Sequence, residues 1–321
     1  MIRTDIINIL TLALLMVSCS DNPTNPGVGL NIIKFGAFFD NPAWHPDGKW
    51  IAVEHGDSID TDFDGIVDTS FSGIWIINAE TGYKQPLIRG FGFPAWNQDG
   101  SSLAMHSGGQ IFTVDILSLE PPEIDTTSLL KLTSMGANFF PSWSSDGKWI
   151  AYDSNVDDTK YDIWIMRSDG TEKQNISTES DSADQGGWRI PNWSPDGNWI
   201  AHHRYISNGE TGTEIYIMDT SGANATWLEH GSGAKFSPDG SIISFYAQPQ
   251  VGLPPVIWTI RRDGTELRQI TNGPDSSFDW SPDGNQIVFL RRNFNEPIEG
   301  NGELWLINID GTNLKQLTFT K

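Results

Sequence analysis

The residues of this chain best suited to chemistry are carboxylates and imidazoles, and they fall into two groups. The first is Asp60-Thr61-Asp62-Phe63-Asp64-Gly65-Ile66-Val67-Asp68. Carboxylates at loop positions 1, 3, 5 and 9 (Asp60, Asp62, Asp64, Asp68), a Gly at 6 and the backbone carbonyl of Ile66 at 7 direct hard oxygen ligands to one point, as a calcium loop requires. Position 12 is Phe71, which leaves the bidentate ligand to Asp57 or its place to water. A bound cation would neutralise crowded carboxylates and stiffen a long loop; without one the stretch is a solvated acidic loop. The second group is Glu54, His106, Asp153 and His203, continued by Tyr246 and Leu290, with His55 and His202 beside them. These six occupy one equivalent position in six successive repeats. Facing one mouth of a central channel, the series acid, imidazole, acid, imidazole would suit a transition metal or an acid–base pair. The bland reading is that each side chain serves its own blade or a neighbouring loop. Other catalytic signatures are missing: His106-Ser107-Gly108-Gly109 has Met105 where a nucleophile elbow needs its first Gly. The chain has no P-loop, dinucleotide fingerprint or zinc spacing.

The elements that must position these residues are repeats. Pro191-Asn192-Trp193-Ser194-Pro195-Asp196-Gly197 recurs with small changes around Asp47, Asp99, Asp146, Asp239 and Asp283, so that successive turn aspartates lie 52, 47, 50, 43 and 44 residues apart. A fixed period of this size signals a propeller or solenoid. In each copy Pro presets φ, Asp bonds back to its own backbone and Gly accepts a positive φ, so Pro-Asp-Gly is a tight turn. A Pro-x-Trp strand precedes the turn and an apolar run such as Trp149-Ile150-Ala151-Tyr152 follows it. A third strand comes next, such as Asp162-Ile163-Trp164-Ile165-Met166, then a second turn such as Asp263-Gly264-Thr265 and a short outer strand such as Ile270-Thr271. Four strands per unit make a propeller blade. The sequence therefore predicts an all-β, six-bladed β-propeller of four-stranded blades, at about 37–88, 89–133, 134–177, 184–229, 230–271 and 272–318. Asn31-Ile32-Ile33-Lys34-Phe35 is expected to be a spare outer strand that pairs into the last blade and closes the ring.

Pro-x-Trp-Ser-Pro-Asp-Gly, the two apolar strands, Asp-Gly-Thr and Leu-Thr together resemble the WD40-like (PD40) propeller repeat of the TolB family, periplasmic components of the Tol-Pal system. The resemblance covers roughly nine tenths of the chain, as expected of stacked repeats. It is specific for fold and poorly specific for function, since related repeats occur in prolyl-oligopeptidase-type peptidases and oligogalacturonate lyases. TolB carries an α/β domain before its propeller, for which the sequence leaves no room between tether and first repeat. The sequence stops at Lys321, directly after the last Leu-Thr strand, so no hydrolase domain is expected to follow. The Asp60–Asp68 loop resembles the calcium repeats of thrombospondin type 3 and dockerin-like modules.

Residues 1–18 read as an export signal, with Arg3, an apolar run from Ile6 to Val17 and a small residue before Cys19. The run is too short to span a membrane. Met16-Val17-Ser18-Cys19 resembles the lipobox of bacterial lipoproteins, which implies lipidation of Cys19, the one cysteine in the chain. Several acyl chains on one Cys anchor stably. Residues 19–31 read as a flexible tether, and residues 32–321 as the propeller. Ser20-Asp21 resembles the surface-export signals of some Bacteroidetes lipoproteins. A net charge of −21 makes nucleic acid a poor partner.

Twelve of the 14 Trp residues occupy repeat positions, which marks them as scaffold and leaves Trp188 and Trp227 to line a binding surface or pack on their own blades. The expected protein is a monomeric, lipid-anchored disc in the bacterial envelope, periplasmic or on the outer-membrane surface. It binds a protein or an envelope ligand without catalysis, alone or within a larger envelope complex. The alternative is a metal-dependent polysaccharide lyase or hydrolase using Glu54, His106, Asp153 and His203 at the propeller mouth.

Overall fold

Each copy of the repeat folds into one antiparallel four-stranded sheet whose strands are in sequence order. The structure is a computed structural model and describes residues 38–59, 69–157, 160–177, 187–206, 212–292 and 302–319, all within one compact unit, Gly36–Lys321. Blade one holds β1 (Phe38–Trp44), β2 (Trp50–Ile59), β3 (Thr69–Asn78) and β4 (Lys84–Arg89). Blade two holds β5 (Gly92–Trp96), β6 (Ser102–Ser107), β7 (Gln110–Leu119) and β8 (Pro122–Lys131). Blade three holds β9 (Asn138–Trp143), β10 (Trp149–Ser154), β11 (Asp162–Arg167) and β12 (Gln174–Asn175). Blade four holds β13 (Trp188–Trp193), β14 (Trp199–Ile206), β15 (Gly212–Asp219) and β16 (Thr226–His230). Blade five holds β17 (Ser232–Phe236), β18 (Ile242–Ala247), β19 (Val256–Arg261) and β20 (Arg268–Gln269). Blade six holds β21 (Asp275–Trp280), β22 (Gln286–Arg291), β23 (Glu303–Asn308) and β24 (Lys315–Gln316). The result is a six-bladed β-propeller.

The turns form as their residues dictate. Ser194 Oγ donates to Asp196 Oδ1 at 2.6 Å and accepts the Trp199 N–H at 2.9 Å, while Asp196 Oδ1 also takes the Asn198 N–H at 3.0 Å. Gly197 closes the turn at φ +73°, a conformation that suits Gly. The second turn uses the same device, with Thr265 bonded to Asp263 Oδ1 through both N–H and hydroxyl. In blades two, three, five and six a Thr or Ser two residues past the outer strand caps the third strand, as where Thr271 Oγ1 accepts the Ile257 N–H and Thr318 Oγ1 the Leu304 N–H, both at 2.9 Å.

Because every blade is covered on both faces, the second strands open on continuous apolar runs such as Trp50–Val53 and Trp149–Tyr152 rather than alternating. In β2, Ile51 and Val53 pack toward blade six while Trp50 and Ala52 pack toward blade two. The core is accordingly divided into six apolar clusters, one in each seam between neighbouring blades. Polar contacts stitch the same seams. Trp96 Nε1 donates to the Ala43 carbonyl and Trp143 Nε1 to the Ala95 carbonyl, both at 3.1 Å. Ser142 Oγ accepts the Trp193 N–H at 3.1 Å and Asn192 Oδ1 the Phe236 N–H at 2.9 Å. Lys235 Nζ lies 3.0 Å from Asp279 Oδ1, and Asp279 Oδ2 accepts the Trp44 N–H at 2.7 Å. The ring thus closes by packing blade one on blade six. All four strands of blade six come from one continuous segment, and the expected spare strand at Asn31–Phe35 lies outside the described residues.

Candidate functional site

The first strand of every blade is innermost and borders a central cavity of about 600 Å³. Pairing between first and second strands breaks register once in each blade, producing a bulge. The bulged residues are Asn41, Phe93, Phe140, Ile190, Gly233 and Ser277, all at positive φ between 35° and 66° and all facing the cavity. Only Gly adopts this conformation freely; for a residue with a Cβ it costs about 1–2 kcal/mol. At the opposite end of the cavity stand residues of the first turns, among them Pro46, Gln98, Pro195, Pro238 and Pro282.

Glu54, His106, Asp153, His203, Tyr246 and Leu290 do lie at one height, each paired across from the residue that precedes a bulge. Their side chains run sideways into the seams. Glu54 accepts the Phe93 N–H of blade two, and Asn41 Nδ2 lies 3.4 Å from its Oε2. Gly92 leaves it room, since a Cβ there would come within 2.4 Å of the carboxylate. Burial, and secondarily the Asp40 carboxylate, hold the Glu54 acid above its ordinary range. The His106 ring packs 4.7 Å from Phe93 and 5.0 Å from Phe139 of blade three, and burial lowers its basicity. Asp153 is fully buried and takes Arg189 Nε of blade four at 2.5 Å. Burial outweighs that cation and pushes the Asp153 acid up to about 6. His203 is the cross-strand partner of Arg189, and burial, aided by Arg189, lowers its pKa to about 3. Arg189 therefore bonds to Asp153 and only lies across the strand from His203, whereas Glu54 and His106 occupy two other seams. Among the described residues, no group of three or more His, Cys, Asp or Glu side chains is placed to hold a metal ion.

The physical reason is the strand order. A first-strand residue stands between each second-strand side chain and the lumen. Tyr246 is the exception that proves the geometry, because its neighbour in front is Gly233, where a Cβ would sit 2.5 Å from the Tyr246 ring. With that position bare, the Tyr246 ring reaches the cavity.

The lumen-facing residues that sequence reasoning passes over are the bulged ones. A signal for them exists: the position before the Pro of Pro-x-Trp, or its equivalent, varies among Asn, Phe, Ile, Gly and Ser while its surroundings repeat. Of the flanking histidines, His55 is buried, stacked 4.0 Å from Phe39 and accepting a bond from Lys84 Nζ at 2.7 Å. His202 is buried and stacked on Tyr216. Trp227 is 46% exposed on β16 and meets His230 of its own blade edge-on. The side chain of Trp188, Cys19 and the loop Asp60, Asp62, Asp64, Ile66 and Asp68 all lie outside what is described.

A family profile described as the TolB β-propeller domain, PD40, matches residues 122–321. An uncharacterized protein of Agrobacterium fabrum is 28% identical over 239 residues, covering 71% of this chain and 75% of its own. Among solved structures, a protein of Agrobacterium tumefaciens studied as a candidate TolB is 26% identical at TM-score 0.58, covering 74% of this chain and 82% of its own. TolB of Acinetobacter baumannii superposes at TM-score 0.58 with 18% identity, covering 88% of this chain and 64% of its own. An oligogalacturonate lyase solved with manganese reaches TM-score 0.53 at 13% identity, over 84% of this chain and 90% of its own, a likeness of fold alone.

Proposed function

The chain belongs to the TolB β-propeller family, and from that premise we propose that it is a non-catalytic lipoprotein of the bacterial cell envelope that binds a partner protein. What supports binding over turnover is the use of Glu54, His106, Asp153 and His203 to fill separate seams, which leaves the lumen to side chains of recognition rather than of reaction. A ring stitched at every seam holds its loops with little ordering left to do on association, which favours affinity. Lipidated Cys19 tethers the disc on the periplasmic or the surface side of the outer membrane. Calcium held by Asp60, Asp62, Asp64, Asp68 and the Ile66 carbonyl stiffens the loop between β2 and β3. The partner docks on the bulge-side face, where Tyr205 is 41% exposed and the tip of the β18–β19 loop carries fully exposed Val251.

A photo-cross-linking amino acid at Val251 or Tyr205, irradiated in intact cells, is expected to yield one discrete protein adduct in the membrane fraction. The same residue at Thr127, on the outer strand of blade two, yields none. Identical adduct patterns from all three positions, or none from any, would overturn the reading. Cys19→Ala is expected to move protein and adduct to the soluble fraction, and unchanged membrane retention removes the lipid anchor from the proposal.

A further inference from the structure

The six bulged residues divide the mouth of the cavity into two unlike halves. Blades two, three and four contribute Phe93, Phe140 and Ile190; blades six and one contribute Ser277 and Asn41, and blade five, bare at Gly233, contributes the Tyr246 ring. Gly233 shows that the bulge needs no side chain. Phe93, Phe140 and Ile190 nevertheless hold left-handed φ values of 49°, 51° and 54°, and they belong to none of the six seam clusters. Strain that a fold does not require is a mark of a binding or catalytic surface. The Phe93 and Phe140 rings lie 4.3 Å apart and tilted, and Arg189 is stacked on Phe140 and Tyr161 with its charge met by Asp153.

The facing wall is polar. Asp40 Oδ1 accepts the Asn41 N–H and the Ser277 hydroxyl, which leaves the second oxygen of Asp40 and the amide oxygen of Asn41 without a hydrogen bond among the described residues. We propose that this mouth binds a neutral saccharide, its apolar ring face on Phe93 and Phe140 and its hydroxyls on Asp40, Asn41, Ser277 and Tyr246. A pyranose is matched to such a site because one face presents C–H groups and its edge presents vicinal hydroxyls that both donate and accept. The volume lies in the range of small-molecule sites. Charge selects against uronates and phosphates: Lys235 is paired with Asp279 and Arg189 with Asp153, so the uncompensated group at the mouth is the carboxylate of Asp40. The inference rests on the reading that the propeller binds without turnover.

The test is saturation-transfer NMR with isothermal titration of the detergent-purified full chain against maltotriose, cellotriose and chitotriose, with trigalacturonate and an uncharged proline-rich hexapeptide as rival probes. At least one neutral trisaccharide is expected to bind, with transfer to its ring C–H protons. Phe140→Gly is expected to weaken it about tenfold or more while leaving the protein folded, because Gly is at home at this φ. Trp227→Ala, outside the mouth, keeps full affinity. No binding of any neutral trisaccharide at about 10 mM would sink the proposal, that being weaker than ordinary recognition. Tighter binding of trigalacturonate, binding of the hexapeptide alone, or sugar binding indifferent to Phe140→Gly would do the same. Shortened saccharide products after incubation would instead overturn the non-catalytic reading beneath it.

Discussion

Asp153 and the adjacent pair His202 and His203 respond to acid in opposite senses. Burial raises the Asp153 acid to about 6 against the pull of Arg189, so its contribution to stability is full at low pH and is lost as pH rises through about 6. Burial lowers both imidazoles to about 3, so each remains neutral in the fold while the unfolded chain takes up protons below its ordinary value of 6.5. Their contribution is present above 6.5 and drains away as pH falls toward 3. Between pH 7 and 5 the aspartate therefore offsets part of the loss due to the histidines. Thermal melts across this window should show Asp153→Asn losing stability more steeply on acidification than the natural protein, and His203→Asn less steeply. Parallel curves for all three would refute the assignment.

Single hydroxyls decide whether strands and turns end cleanly. The Ile257 N–H at the start of β19 is buried and has Thr271 Oγ1 as its acceptor. Thr271→Val keeps the shape and removes the acceptor, so it should cost about 1–3 kcal/mol, the desolvation penalty of a buried donor left unpaired. Urea denaturation measures this, and Thr271→Ser, which keeps the hydroxyl, should lie within a few tenths of the natural protein. Position 233 makes a similar demand in β17. Its φ is +66° and a Cβ would press on Tyr246, so Gly233→Ala should lose more than about 1 kcal/mol of stability. By contrast, Gly48→Ala meets open space and pays only the conformational part.

A ring of blades is only as cooperative as its weakest seam. Asp279 joins three blades, accepting the Trp44 N–H of blade one and pairing with Lys235 of blade five from its place in blade six. Its pair is about a quarter exposed, which discounts the ionic share. Asp279→Ala should still cost about 1–3 kcal/mol through the orphaned N–H and ammonium. Ser142→Ala, which loses one neutral bond between blades three and four, should cost about 1 kcal/mol. Equal urea midpoints for the two variants would mean that Asp279 adds no more to closure than one neutral bond does, and that closure between blades six and one rests mainly on the apolar cluster around Trp44, Leu304 and Leu306.

Blade number, strand order and turn positions are legible in the sequence because their causes are local: Pro-Asp-Gly bends, hydroxyl caps and apolar runs act within a few residues, and their spacing repeats. Alignment of the repeats also brings Glu54, His106, Asp153 and His203 to one height. The direction in which those side chains point is a property of the ring, where a first strand screens every second strand from the lumen except at Gly233. The same geometry hands the lumen to the bulged residues Asn41, Phe93, Phe140, Ile190 and Ser277, which the sequence marks only as a variable position within a constant repeat. Closure of the ring is likewise tertiary. Sequence shows that six units exist, but the last is joined to the first by contacts such as that of Asp279 with Trp44, some 235 positions apart, which depend on the accumulated turn of all the blades between.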